Sequence, residues 1–142
     1  MTHERLHPRG WKAPRGYAHG IAATGRLIFT GGMIGWNGQQ EFETDDFVGQ
    51  AELALRGIVA VLAEAGAGPE HLVRLTWYVT SRQEYLDNLK GLGEVYGRVL
   101  GRNYPAMALV QVVALVEDRA RLEIEATAVV PDAGPAAGEG GR

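Results

Sequence analysis

The chain has 142 residues, a net charge of −3 at pH 7 and no cysteine, so it is long enough for one domain and excludes disulfides, thiolate zinc sites and cysteine nucleophiles. The isoelectric point of about 5.8 counts against binding to a nucleic-acid backbone, which needs a basic surface. No apolar run has the length of a membrane-spanning helix and Met1–Gly10 lacks a secretory core, so we expect a cytoplasmic protein with no membrane and no nucleic-acid partner.

The first forty residues predict loops and short strands. Leu6–Gly20 is rich in glycine and proline, which is typical of a loop-rich entry with one short edge strand at most. Ile21–Ala23 and Leu27–Thr30 have strand composition, and Thr24–Arg26 between them carries a glycine. This spacing predicts a β-hairpin.

An amphipathic helix is predicted next. Thr44 is a suitable N-cap, with acidic residues after it at the positive end of the helix dipole. Gly66 is a natural stop. The apolar residues recur at helical spacing: Phe47, Ala51, Ala54, Leu55, Ile58 and Leu62.

A strand and a second helix follow. Val73–Val79 alternates apolar and polar residues, which predicts a strand with one buried face. Ser81 and Glu84 have the spacing of a capping box. The helix they open is predicted to end at Gly101, and its apolar stripe is Tyr85, Leu89, Leu92, Tyr96 and Val99.

The last predicted elements are two strands. Ala106–Val116 is almost wholly apolar, which predicts a strand buried on both faces, and Arg121–Val130 alternates cleanly. Pro131–Arg142 has the composition of a disordered, dispensable tail, so residues 1–130 form the predicted single domain. Two helices cover only one face of such a sheet, so we expect a second copy of the chain to cover the other.

Six short segments have a characteristic order and spacing: Gly16–Gly20, Leu27–Gly31, Gln50–Leu55, Leu62–Ala67, Tyr104–Ala106 and Glu123–Ala126. Together they resemble the RidA family, also called YjgF or UK114, over nearly the full length. The resemblance implies an α+β, chorismate-mutase-like fold, with a six-stranded mixed sheet and two helices on one face. It also implies a homotrimer, arranged as a barrel with clefts between subunits.

Deaminating members of the family hydrolyse reactive imines and enamines, and they use no metal or cofactor of their own. By resemblance, Glu123 positions the hydrolytic water. The substrate-binding positions are Tyr17, an aromatic residue near the cleft, Thr30, and Gly31, whose backbone approaches the ligand.

The chain departs from the family pattern where the substrate carboxylate is held. Deaminating members have Pro-Ala-Arg, but this chain has Met107 in place of the arginine. The family's asparagine on the second helix aligns with Gly93, although Asn88 lies nearby. A thioether offers an apolar wall and no charge-assisted bond, so we expect an altered substrate preference. For Met107, packing in the core is an equally good interpretation. For Glu123, the equally good interpretation is a solvated charge on the surface of the strand.

Two further residues are candidates for the cleft. His19 follows Tyr17 and is of a type common in acid–base chemistry, although the histidines show no zinc-ligand spacing. Trp36 lies in a glycine-rich loop, where it would line the cleft or be a mobile surface aromatic. The functions left open are a hydrolytic deaminase, a trimer that binds a small metabolite without catalysis, and an endoribonuclease. The acidic isoelectric point and the lack of a basic–aromatic cluster count against the last.

Overall fold

A computed structural model describes residues 2–132. Within this range the chain forms seven strands and three α-helices: β1 (Glu4–Leu6), β2 (Gly20–Ala22), β3 (Arg26–Phe29), β4 (Met33–Ile34), α1 (Phe47–Glu64), β5 (Leu72–Val79), α2 (Arg82–Asp87), α3 (Leu89–Leu100), β6 (Ala106–Gln111) and β7 (Leu122–Val130). The predicted tail lies outside the described residues from position 133 onward.

The main sheet is mixed and has five strands in place of the expected six. Its order is β3-β7-β5-β6, and β4 also pairs with β7. The β5–β6 pair is parallel, because the two helices α2 and α3 connect these strands, and the other pairs are antiparallel. β1 and β2 form a separate two-stranded sheet.

The predicted hairpin around Gly25 is wrong. β2 pairs with β1, whereas β3 pairs with β7 from Arg26↔Val130 to Phe29↔Thr127. At Gly25 the backbone has a φ of 146°, and a Cβ there would lie 2.0 Å from the carbonyl oxygen of Val130. The chain therefore passes tightly against the end of β7 and leaves no room to fold back on β2.

The cap of helix α1 is Asp46, two residues after the predicted cap Thr44. The side chain of Asp46 accepts a hydrogen bond from the Gly49 amide at 2.8 Å, while the Thr44 hydroxyl accepts one from the Asp46 amide. A carboxylate suits the positive end of the helix better than a hydroxyl, which explains the choice. The helix ends before Gly66, whose φ of 72° is typical of a C-terminal stop.

The predicted second helix is two helices. Ser81 caps α2 through the Glu84 amide, as expected, but α2 ends at Asp87. Asn88 has non-helical angles, and its side-chain amide donates to the Glu84 carbonyl oxygen at 2.7 Å. That bond competes with the helical ladder and divides the helix there. Gly101, with a φ of 71°, ends α3 as predicted.

All three helices pack on one face of the main sheet, and the core lies between them. We call the other face the open face. β6 ends at Gln111, five residues before the predicted end, and in the chain alone only one of its faces is covered. Val110 is 47% exposed, and Val113 and Val116 beyond the strand are fully exposed.

Candidate active site

Glu123 lies on the open face of the sheet. It pairs with Tyr78 across the β5–β7 register and alternates with Leu122 and Ile124, which are buried beneath the helices. Gly32 passes directly over it, so closely that an added Cβ would lie 1.9 Å from a Glu123 carboxylate oxygen. The carboxylate is thus half-buried against the β3–β4 connection and not free in solvent.

Thr30 and Gly31 lie in the same part of the open face. The Thr30 amide donates to the Ala126 carbonyl oxygen at 2.9 Å, and its hydroxyl accepts from the Ala126 amide at 3.0 Å. These two bonds hold the segment against β7. Gly31 next to it is exposed, with no atom within 4 Å of an added Cβ, so its backbone is open to a ligand.

A second carboxylate on this face was not singled out from the sequence. The Tyr78 hydroxyl donates to a Glu125 carboxylate oxygen at 2.7 Å, and this hydrogen bond raises the pKa of Tyr78. The alternation of Glu123 and Glu125 along one strand was the available signal, since residues two apart share a face. Glu125 is therefore hydrogen-bonded to Tyr78, and Glu123 is the carboxylate next to Gly32.

Met107 lies on the other side of the sheet. It pairs with Leu75, which is fully buried beneath the helices, and it packs against the same core. Met107 lines a cavity of about 280 Å³ between the sheet and helices α2 and α3, which we call the aromatic cavity. Its other walls include Arg15, Trp77, Tyr85, Gly93, Tyr96 and Tyr104.

The aromatic cavity has ordered walls. The rings of Tyr96 and Tyr104 stack at 5.2 Å, and the Tyr96 hydroxyl donates to the Asn103 carbonyl oxygen at 2.5 Å. Burial raises the pKa of Tyr96, so its hydroxyl stays protonated at neutral pH. Trp77 meets Tyr85 edge to face, and its buried indole N–H has no hydrogen-bond partner among the described residues.

Tyr17 and His19 lie next to the start of β6. Ala18 between them forms a bridge to Ala106, and its amide donates to the Pro105 carbonyl oxygen at 3.0 Å. The His19 ring meets the Tyr17 ring edge to face, and its Nε2 donates to the Lys12 carbonyl oxygen at 3.2 Å. The bridge therefore carries both predicted ligand residues to the start of β6.

A cluster of rings surrounds His19. The His19 ring stacks on His7 and meets the edge of Trp11. The segment that supplies these rings, from Arg5 to His19, contains no acidic residue. The turns that gather the rings depend on contacts that no periodicity in the sequence indicates.

Trp36 is separate from the other candidates in the single chain. It lines another cavity, of about 460 Å³, beside α1, together with Met33, Gly57 and Val61. Its ring lies 5.7 Å from that of Phe42. Among residues 2–132, no group of three or more histidine, aspartate or glutamate side chains is arranged to hold a metal ion.

One chain does not bring the predicted site residues together. Neighbouring strands present paired residues on the same face, and successive residues alternate. Leu75 pairs with Met107 on the helix side, whereas Tyr78 pairs with Glu123 on the open face. The sheet itself therefore places Met107 on one side and Glu123, with Thr30 and Gly31, on the other.

Comparison with known proteins identifies the family. The family model described as Endoribonuclease L-PSP matches residues 10–130. The solved structure of YyfB from Yersinia pestis, a member of the Rid protein family, is 28% identical and superposes with a TM-score of 0.79 over 92% of this chain and 100% of that one. This chain belongs to the RidA family.

Other relatives are similar over most of their length. Protein DfrA of Myxococcus xanthus is 37% identical over 74% of this chain and 77% of its own. The Escherichia coli protein named "Putative reactive intermediate deaminase TdcF" is 31% identical over 80% of this chain and 85% of its own. A structure of E. coli TdcF with bound serine has a TM-score of 0.64, at 29% identity over 89% and 98% of the two chains. Within the described residues, no helix of this RidA-family chain is long and apolar enough to cross a membrane.

Proposed function

We propose that this chain is a hydrolytic deaminase of imines, enamines or related small metabolites, with a substrate preference unlike that of relatives that carry the arginine. The observation that carries the proposal is the Glu123 carboxylate held under Gly32, beside the open backbone of Gly31. A carboxylate packed close to Gly32 and next to accessible backbone can position a hydrolytic water. The name of the relative TdcF supports the same reaction class.

The complete site would lie between two copies of the chain. Glu123 and Met107 lie on opposite faces of one sheet, so a ligand that meets both must be held between molecules. The open face also exposes apolar side chains, with Leu27 at 58% and Phe29 at 68%. Burying such a patch favours self-association, and we propose the homotrimer implied by the resemblance.

The reaction is the addition of water to a C=N bond. Glu123 takes a proton from water as the water oxygen bonds to the imine carbon, and the nitrogen gains a proton. The resulting carbinolamine then loses its C–N bond, the carbonyl forms and ammonia leaves. An enamine follows the same course after its carbon is protonated. Each turnover consumes one water and needs no electron acceptor.

The test is the loss of imines made in place by an amino-acid oxidase, with catalase present, measured as the decrease in semicarbazone that forms with semicarbazide as the competing trap. The wild-type chain should speed the loss of imine, and Glu123→Gln should not, because an amide cannot accept the proton of water. If Glu123→Gln hydrolyses imines as fast as the wild type does, the proposed role of Glu123 is wrong.

The substitution Met107→Arg tests the altered preference. We expect the wild type to hydrolyse 2-iminopropanoate weakly, because a charge-assisted hydrogen bond contributes about 1.5 to 3 kcal/mol, or about 10- to 100-fold in affinity. Met107→Arg should raise this activity, and Met107→Leu, which changes no charge, should leave it unchanged. Rapid hydrolysis of 2-iminopropanoate by the wild type would contradict the prediction.

A second candidate is a trimer that binds a small metabolite in the same cleft without catalysis. The structure of the relative TdcF with bound serine favours it. Ligand binding by calorimetry with no acceleration of imine loss would support this function over the first. RNA cleavage that survives rigorous removal of contaminating nucleases would instead favour the activity in the family description.

A further inference from the structure

The aromatic cavity has one charged residue in its lining, and that residue is Arg15. Its side chain is exposed, and it makes no hydrogen bond or ion pair with the described residues. The stretch from Arg5 to Gln40 contains five lysine and arginine residues and no acidic one, so nothing nearby in the sequence neutralises it. Such a guanidinium at the edge of a cavity attracts an anionic ligand and can pair with a carboxylate.

The remaining lining favours a flat apolar group. Trp77, Tyr85, Tyr96 and Tyr104 supply aromatic walls, which offset-stack or meet other rings edge to face. Gly93 on α3 leaves open space, because no atom lies within 4 Å of an added Cβ. The cavity therefore has packed aromatic rings along its walls and unfilled space next to Gly93.

The other cavities that contain an arginine lack this combination. In the cavity beside α1, Arg56 already pairs with Glu52 at 2.7 Å. A small cavity on the open face contains Arg74, but Glu125 also lines it and supplies an opposing charge. A further cavity also contains Arg74, beside Leu6 and Ile21, but no tryptophan or tyrosine lines it. Among these four cavities of the described residues, only the aromatic cavity therefore joins an unneutralised cation to a wall of tryptophan and tyrosine rings.

We infer that the aromatic cavity takes the aromatic or large apolar side chain of a 2-imino acid and thereby brings its carboxylate to Arg15, which a small 2-imino acid without such a side chain does not reach in the same way. The inference rests on the proposed function, since it names the substrate class of that site. The α-carbon of such a substrate carries the side chain, the carboxylate and the C=N bond. When the side chain lies in the cavity and the carboxylate lies at Arg15, the C=N bond lies at the mouth of the cavity. A second copy of the chain can present Glu123 there.

Binding of stable analogues tests the inference without any need for catalysis. By calorimetry, the full chain should bind 3-phenylpropanoate at least about 10-fold more tightly than propanoate, because the ring buries apolar area in the cavity. Arg15→Gln should weaken binding of 3-phenylpropanoate about 10- to 100-fold and change binding of the neutral 3-phenylpropanamide little. Arg9→Gln, in the same basic segment but outside the lining, is the matched control.

A second pair of variants tests the cavity itself. Gly93→Leu fills open space and should abolish the preference for 3-phenylpropanoate over propanoate, whereas Gly97→Leu, one turn later on α3 and also in open space, should keep it. Both changes raise helix propensity, so neither should unfold α3. Equal binding of the two carboxylates by the wild type, or unchanged binding of 3-phenylpropanoate by Arg15→Gln, would overturn the inference.

The same variants separate this inference from the proposed function. If the analogues bind as expected but no imine is hydrolysed, the ligand class stands and the catalytic proposal fails. If imines are hydrolysed without preference for the phenylalanine-derived one, and Arg15→Gln leaves the rate unchanged, catalysis stands and the inference fails.

Discussion

At the scale of single residues, Gly32 has less room for a side chain than any other glycine of the candidate site, because Glu123 lies directly against it. An added Cβ would lie 1.9 Å from the carboxylate oxygen, so Gly32→Ala must push the carboxylate aside. Because the displaced atoms end a flexible side chain, we expect the melting temperature to change little. Imine hydrolysis should fall about 10- to 100-fold, since small displacements of a positioned group are costly to rate.

Gly38→Ala is the control for this substitution, because no atom lies within 4 Å of its added Cβ. Rates come from the semicarbazide assay and melting temperatures from circular dichroism. If Gly32→Ala hydrolyses imines at the wild-type rate, the position of the Glu123 carboxylate does not matter to the reaction.

At the scale of elements, Gln50 joins helix α1 to the segment that leads into β7. Its side chain is fully buried, donates to the carbonyl oxygens of Thr44 and Arg119, and accepts from the Arg121 amide at 2.8 Å. Gly35 packs against it so closely that an added Cβ would meet Gln50 Cβ at 2.3 Å. Gln50 therefore fixes the N-terminal end of α1 against the start of β7, the strand that carries Glu123.

We expect Gln50→Leu to lower the free energy of unfolding by about 2 to 4 kcal/mol, because it removes three hydrogen bonds and leaves their backbone partners unpaired beside an apolar side chain. Urea denaturation measures the change. Gln83→Leu on the exposed face of α2 is the control, and it should stay within about 0.5 kcal/mol of the wild type. An equally small effect at Gln50 would mean that water replaces its bonds.

At the scale of the whole molecule, the open face predicts self-association. Phe29 is 68% exposed on β3, beside the segment that holds Thr30 and Gly31. Analytical ultracentrifugation at micromolar concentration should give three times the chain mass of 15.3 kDa. Phe29→Asp should shift the protein toward smaller species, because it would bury an unpaired charge in the interface.

Leu86→Asp is the matched control for Phe29→Asp. Leu86 is 47% exposed on α2, on the helix side of the sheet, so the same substitution there should leave the mass unchanged. A wild-type chain that sediments as a monomer would contradict both the predicted trimer and a site shared between copies.

The sequence alone determined those features that depend on neighbours along the chain. The helical period from Phe47 to Leu62, the alternation of β7, the Ser81 cap and the stop at Gly101 were all predicted and are found. Backbone sterics and a few adjacent side chains are enough to set each of them. The resemblance likewise predicted the family, because the order and spacing of the matching segments can be compared from the sequence without a structure.

Only the tertiary structure decided which strands pair and which face each side chain occupies. β3 pairs with the longer β7 and not with β2. Asn88 divides a helix whose apolar stripe is continuous, and the sheet places Met107 and Glu123 on opposite sides. Arg15 enters the lining of the aromatic cavity from a segment without periodicity. These outcomes depend on contacts between distant residues, and burial over the whole chain selects among the pairings that local patterns leave open.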